Sequence, residues 1–136
     1  MLVVEDDPQQ LAIAKATLLN DFQTVFVTRL DEFEKVLELL PDKISGIITD
    51  LHFPQIELEK DKNYPPTGLA VVAWAVENNI PVVVCSDIDH HYAMYLTDVV
   101  RVLAQLQSYT YGNIPFSQDK KDWEKAKTSL QSLLKS

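Results

Sequence analysis

Short apolar runs alternate with segments of helical periodicity along the whole chain, and this alternation strongly limits the possible folds. Five runs are predicted to be β-strands, at residues 2–5, 24–28, 46–50, 81–86 and 109–111. Residues 2–4 and 82–85 are almost unbroken runs of apolar or β-branched side chains, as expected for strands covered on both faces. Strands that alternate with helices predict a parallel sheet with right-handed crossovers.

Apolar positions recur at helical spacing in the segments between and after these runs. The first helix is predicted to begin after an N-cap at Asp7, with Pro8 at the first helical position and Gln10 completing a capping box. Thr28 or Asp31 is predicted to cap the second helix, and Ser117 the last. The other four helices have apolar stripes at Phe33, Val36, Leu37 and Leu40; at Leu69, Val72, Ala73 and Val76; at Tyr92, Leu96, Val99, Leu103 and Leu106; and at Trp123, Ala126, Leu130 and Leu133.

Length and charge narrow the class of protein. The chain has 136 residues, which is enough for one domain with its own core. Its net charge of −8 argues against a nucleic-acid surface, which needs a basic stripe. No apolar window is long enough to cross a membrane and no secretory signal opens the chain, so we expect a cytoplasmic protein. Cys85 lies inside an apolar run and is predicted to be a core residue.

Acidic residues follow two of the predicted strands. Glu5, Asp6 and Asp7 close the first run, and Asp50 closes the third. The carboxyl ends of parallel strands share one edge of the sheet, where ligands bind in open α/β folds. Two unit charges about 5 Å apart repel by roughly 3 kcal/mol at an effective dielectric of about 20. A hard divalent cation would relieve this repulsion, so the pattern predicts a Mg²⁺ site beside Asp50. Helix capping alone is enough to account for Asp7.

The connection after the third strand is unusually long. Residues 51–67 join that strand to the third predicted helix, whereas compact α/β units generally use 2–6 residues there. The segment begins directly after Asp50, so it is expected to overhang the predicted metal site.

In chain order, these features resemble the receiver domain of bacterial response regulators. The resemblance covers nearly the whole chain, and Asp6 and Asp50 are 44 positions apart, close to the usual gap in that family. It implies a flavodoxin-like, doubly wound sheet of five parallel strands in the order 2-1-3-4-5, forming a single domain over residues 1–136 without a separate output domain. The matching segments are Val3-Val4-Glu5-Asp6, Asp50-Leu51-His52-Phe53-Pro54, Thr67-Gly68-Leu69, Ile80-Pro81-Val82-Val83-Val84-Cys85-Ser86, and Tyr111 with Pro115-Phe116.

The resemblance also implies roles for individual residues. Asp50 would accept a phosphoryl group from a histidine kinase or a phosphotransfer protein. Asp6 would ligate Mg²⁺ directly, Glu5 would do so through water, and Asp50 and the backbone carbonyl of His52 would add ligands. The Ser86 hydroxyl would hydrogen-bond a phosphoryl oxygen. At most, the activity would be self-catalysed phosphoryl transfer and hydrolysis at Asp50.

Tyrosines concentrate on the predicted output side. In the family that this chain resembles, an aromatic residue changes rotamer during switching and alters the face made by the fourth helix, fifth strand and fifth helix. Tyr111 stands at that position here. Tyr92 and Tyr95 lie on that fourth helix. Aromatic side chains are enriched at interfaces, so this face is expected to bind an effector or a second copy of the chain.

Two residues depart from the family pattern and leave two hypotheses open. The position before the Pro-Phe pair, where the family has a lysine, is Ile114, and the residue after Ser86 is the acidic Asp87 rather than a small one. In the first hypothesis the chain is a phosphoryl-accepting switch that uses Mg²⁺. In the second it is an atypical receiver that binds partners without phosphorylation.

Overall fold

The computed structural model describes residues 1–39, 42–51, 53–56, 67–85 and 122–135. The predicted fourth helix and the predicted fifth strand at 109–111 lie outside these ranges, and so does the predicted cap Ser117. Within the described ranges, no helix combines the length and the apolar character that crossing a membrane requires.

Four parallel strands form the described sheet, which confirms the predicted α/β class. The strands are β1 (Leu2–Val4), β2 (Val25–Val27), β3 (Ile47–Thr49) and β4 (Val82–Val84), in the order β2-β1-β3-β4. Each lies inside its predicted run, and the order matches the first four positions of the predicted 2-1-3-4-5. The described helices are α1 (Pro8–Leu18), α2 (Leu30–Leu39), α3 (Gly68–Glu77) and the last helix (Trp123–Leu134).

Helices cover both faces of this sheet, as a doubly wound fold requires. Successive strand side chains point to opposite faces. Leu2 and Val4 therefore pack in a core with α2 and α3, whereas Val3 packs with α1 and the last helix. Cys85 is fully buried on the second face, which confirms its prediction as a core residue.

The buried face of α3 differs from the predicted one. The predicted stripe includes Ala73, which the structure exposes, and Leu69, which is only half-buried. The residues that α3 buries are Gly68, Val71, Val72, Ala75 and Val76. The rotation of the helix is set at its first residue, because Gly68 lies directly against the backbone that follows β3.

Asp7 caps α1 as predicted, but Gln10 has a different role. The Asp7 carboxylate accepts from the backbone N–H of Gln9 at 2.9 Å, and Pro8 is the first helical residue. The side-chain oxygen of Gln10, predicted to complete a capping box, accepts instead from the indole N–H of Trp123 at 2.9 Å. This hydrogen bond joins α1 to the last helix. Asp122, rather than the predicted Ser117, caps the last helix, and its carboxylate accepts from the N–H of Lys125 at 3.0 Å.

Candidate metal site at the carboxyl edge of the sheet

Backbone hydrogen bonds hold the strand ends together beyond the strands themselves. The N–H of Asp50 donates to the carbonyl of Val4 at 2.8 Å, and the N–H of Glu5 donates to the carbonyl of Val27 at 3.0 Å. Both residues directly follow their strands, so this pairing brings the two acidic ends to the same edge.

Three of the predicted ligands lie together at this edge. Glu5, Asp6 and Asp50 each offer a carboxylate oxygen, and these three oxygens all lie within 4.8 Å of one another. The side chain of Glu5 is completely buried, Asp50 is 5% exposed and Asp6 is partly buried. The structure therefore places three acidic groups from two strands at one point, as the sequence pattern predicts.

Neighbouring groups orient the Asp50 carboxylate and its backbone. Its Oδ1 accepts from the N–H of Leu51 at 2.7 Å. The Thr49 hydroxyl donates to the Asp50 carbonyl at 2.8 Å, and both of those atoms are buried. The Leu51 N–H thus orients the carboxylate, and the Thr49 hydroxyl orients the backbone carbonyl.

The donor set fits a hard divalent cation. Two of the three clustered carboxylates are buried, and a cation bound among them would offset the repulsion between their charges. Carboxylate oxygens are the ligands that Mg²⁺ prefers in proteins. Glu5, Asp6 and Asp50 are the side chains that would hold such an ion.

Gly68 is a site residue whose role the sequence patterns did not reveal. A Cβ on Gly68 would lie 2.2 Å from the carbonyl oxygen of Asp50 and 2.8 Å from the Cα of Leu51. The N–H of Gly68 also donates to the Leu51 carbonyl at 2.8 Å. Only glycine lets the start of α3 approach Asp50 this closely. A glycine at a predicted helix start, where it has low propensity, is the sequence signal that points to such a contact.

The turn between β2 and α2 lies at the same edge and contains a cluster of charged side chains. Arg29 Nε donates to Asp31 Oδ1 at 2.9 Å, and this hydrogen bond lowers the pKa of Asp31. Burial raises the pKa of Glu32, but hydrogen bonds from the hydroxyl and N–H of Thr28 outweigh it, so the net pKa is lowered. The first turn of α2 is therefore anionic at neutral pH.

Several predicted site residues lie outside the described ranges. They are His52, Ser86, Asp87, Tyr92, Tyr95, Tyr111 and Ile114.

The fold is similar to that of a signalling domain. The crystal structure of the signal receiver domain of a signal transduction histidine kinase from Syntrophus aciditrophicus superposes with a TM-score of 0.65. The match covers 98% of this chain and 88% of that chain at 21% sequence identity. No protein-family model matches the chain, and no curated protein matches it either. The chain thus has the fold of a signal receiver domain, which confirms the resemblance at the level of the fold.

Proposed function

We propose that this chain is a response-regulator receiver domain that relays a signal by accepting a phosphoryl group on Asp50. The observation that supports this most directly is the position of the Asp50 carboxylate, within 4.8 Å of Glu5 and Asp6. In a receiver fold this is the carboxyl edge of the sheet, where ligands of open α/β folds bind.

The chemistry proposed for Asp50 is a phosphoryl transfer from a phosphohistidine. A carboxylate oxygen of Asp50 forms a bond to phosphorus while the bond from phosphorus to the imidazole nitrogen breaks, and the histidine nitrogen keeps the electron pair. The donor is a histidine kinase or a phosphotransfer protein. Later attack by water releases phosphate and restores Asp50.

Each neighbouring residue has a proposed part in this transfer. The Leu51 N–H holds Asp50 Oδ1 and so fixes the direction of the nucleophile. Glu5, Asp6, Asp50 and the backbone carbonyl of His52 hold Mg²⁺. When bound, Mg²⁺ neutralises charge on the transferring phosphoryl group. Ser86 hydrogen-bonds a phosphoryl oxygen.

The chain is proposed to act in the cytoplasm as a receiver unit. Its signal would pass to an effector or a second copy through the predicted face of Tyr92, Tyr95 and Tyr111. The second candidate function is a phosphorylation-independent interaction module. The sequence departures at Ile114 and Asp87 favour that candidate. Ile114 removes a positive charge near the predicted phosphoryl position, and Asp87 adds a negative one.

Labelling at Asp50 tests the proposed transfer. Incubation with a small phosphodonor and Mg²⁺ is expected to add the mass of one phosphoryl group, and EDTA is expected to prevent it. Asp50→Asn is expected to stay unlabelled. The matched control is Asp42→Asn, because Asp42 is an exposed aspartate outside the cluster. An unlabelled wild-type protein, or a labelled Asp50→Asn, would refute phosphoryl acceptance at Asp50.

The residue at position 114 is expected to limit how well phosphorylation drives a switch. A charge-assisted hydrogen bond is worth about 1.5–3 kcal/mol, and Ile114 offers none. A two-state switch needs about 5.5 kcal/mol to move from 1:99 to 99:1. Asp87 would also repel the incoming phosphoryl group, so we expect slow labelling of low stoichiometry, and faster labelling in Ile114→Lys combined with Asp87→Ala.

The control for the position-114 change is Ile114→Leu with Asp87→Ala, which leaves the site without the added ammonium group. Amide resonances with and without beryllofluoride provide the second measurement. Large changes along residues 86–116 in the unmodified protein would show a fully working switch and contradict the effect expected of Ile114.

A further inference from the structure

The start of α2 is held by the segment that follows Asp50. The N–H of Leu30 donates to the carbonyl of Pro54 at 3.1 Å, and the N–H of Asp31 donates to the carbonyl of Gln55 at 3.1 Å. The first N–H groups of a helix have no partner within the helix. In α2, two of these groups therefore bind backbone carbonyls that lie four and five residues after Asp50.

The same segment is fixed to the acidic cluster at its other end. The N–H of Leu51 donates to the Asp50 carboxylate at 2.7 Å, and the side chains of Leu51 and Phe53 are completely buried. Close packing leaves such side chains little freedom to shift independently of their surroundings. Because Leu51 and Phe53 are both held in the core, a change in the direction of Asp50 is expected to affect the position of Pro54.

A second route joins the same elements. The N–H of Gly68, at the start of α3, donates to the carbonyl of Leu51 at 2.8 Å. Further along, the ring of Trp74 on α3 meets the ring of Phe33 on α2 edge to face, with centroids 5.7 Å apart. The Asp50 segment thus contacts both α2 and α3, and these two helices also contact each other.

We infer that the N-terminus of α2 positions the Asp50 segment for cation binding and responds when the cation binds. The three carboxylates lie within 4.8 Å of one another while both hydrogen bonds to α2 are made, so this arrangement is the one suited to a cation. By linkage, a contact that favours the binding arrangement raises affinity, and binding in turn strengthens the contact. The inference rests on the proposed metal site and adds α2 as a second element that senses it.

A Mg²⁺ titration followed by amide resonances tests the inference in the unmodified protein. The Leu51 amide reports on the site, because it donates to Asp50 Oδ1. The amides of Leu30 and Asp31 are expected to shift along the same binding curve. The Phe22 amide, which donates to the Leu18 carbonyl at the far end of α1, serves as the control and is expected to stay in place.

The outcomes of this titration separate the inference from the proposal on which it rests. If Leu51 shifts while Leu30 and Asp31 stay in place, the metal site stands and the role of α2 is wrong. If no amide shifts, the metal site itself is wrong and the inference fails with it.

A pair of variants at Leu30 tests the reverse direction. Leu30 is the first residue of α2, a position where proline is tolerated. Leu30→Pro removes the N–H that donates to the Pro54 carbonyl. Leu30→Ala loses the same leucine packing but keeps the N–H. One hydrogen bond corresponds to about a two- to tenfold change in an equilibrium constant, so Leu30→Pro is expected to bind Mg²⁺ two- to tenfold more weakly than Leu30→Ala. Equal dissociation constants for these two variants would overturn the inference.

Discussion

Gly68→Ala is expected to destabilise the folded protein by about 3 kcal/mol, at the upper end of the range for overpacked cores. The new Cβ would meet the Asp50 carbonyl oxygen at 2.2 Å and the Leu51 Cα at 2.8 Å. Both are backbone atoms, so no side-chain rotation can relieve the overlap. Alanine has the better helix propensity by only about 1 kcal/mol, so the clash determines the sign.

Urea unfolding of Gly68→Ala and Gly46→Ala measures this effect against a matched control. A Cβ on Gly46 would lie 3.2 Å from Leu130 Cδ1, the end of a side chain that can shift. We expect Gly46→Ala to stay within about 1 kcal/mol of the wild type, as a site that relaxes does. Equal midpoints for the two variants would mean that α3 moves away from Asp50 at little cost.

The contact at Gly68 also explains why the buried face of α3 could not be predicted. The helix sequence Gly-Leu-Ala-Val-Val-Ala-Trp-Ala-Val-Glu is apolar on nearly every side, so its periodicity favours no single face. The rotation is instead selected by the approach of Gly68 to Asp50. In the last helix polar residues separate the apolar ones, and three residues of the predicted stripe, Trp123, Ala126 and Leu130, are buried, whereas the fourth, Leu133, is partly buried.

The cap at Asp7 could be predicted because its partner is also local. Asp7 caps α1 through Gln9, two residues away. Gln10 follows a local capping pattern, yet it accepts from Trp123, 113 residues along the chain. The backbone partners of Leu30 and Asp31 likewise come from another segment, and no pattern within α2 indicates them.

The acidic cluster could be predicted because parallel strands fix its geometry. Each strand of the described sheet ends at the same edge, so residues that directly follow β1 and β3 become neighbours whatever the loops do. The sequence could not show how deeply these groups are buried. The complete burial of Glu5 depends on packing against other segments.

Mg²⁺ and the Asp50→Asn change are each expected to stabilise the fold, and each is expected to remove the benefit of the other. At one hundred times its dissociation constant, a ligand that binds only the folded state adds about 2.7 kcal/mol. For a chain of this size that is a rise in Tm on the order of 10 °C. In EDTA, Asp50→Asn is expected to melt above the wild type, because it removes one of three charges that lie within 4.8 Å of one another. Each such pair repels by roughly 3 kcal/mol at an effective dielectric of about 20.

Asp50→Asn is therefore expected to melt above the wild type in EDTA and below the wild type in Mg²⁺. Asparagine can still accept from the Leu51 N–H, so the hydrogen bond at 2.7 Å does not account for the difference. Screening by salt also weakens repulsion, so NaCl at matched ionic strength is the control for Mg²⁺. Asp42→Asn, an exposed change outside the cluster, is expected to behave like the wild type in both EDTA and Mg²⁺. If Mg²⁺ and NaCl raise the wild-type Tm equally, and Asp50→Asn gains nothing in EDTA, then Glu5, Asp6 and Asp50 do not act together as a cation site.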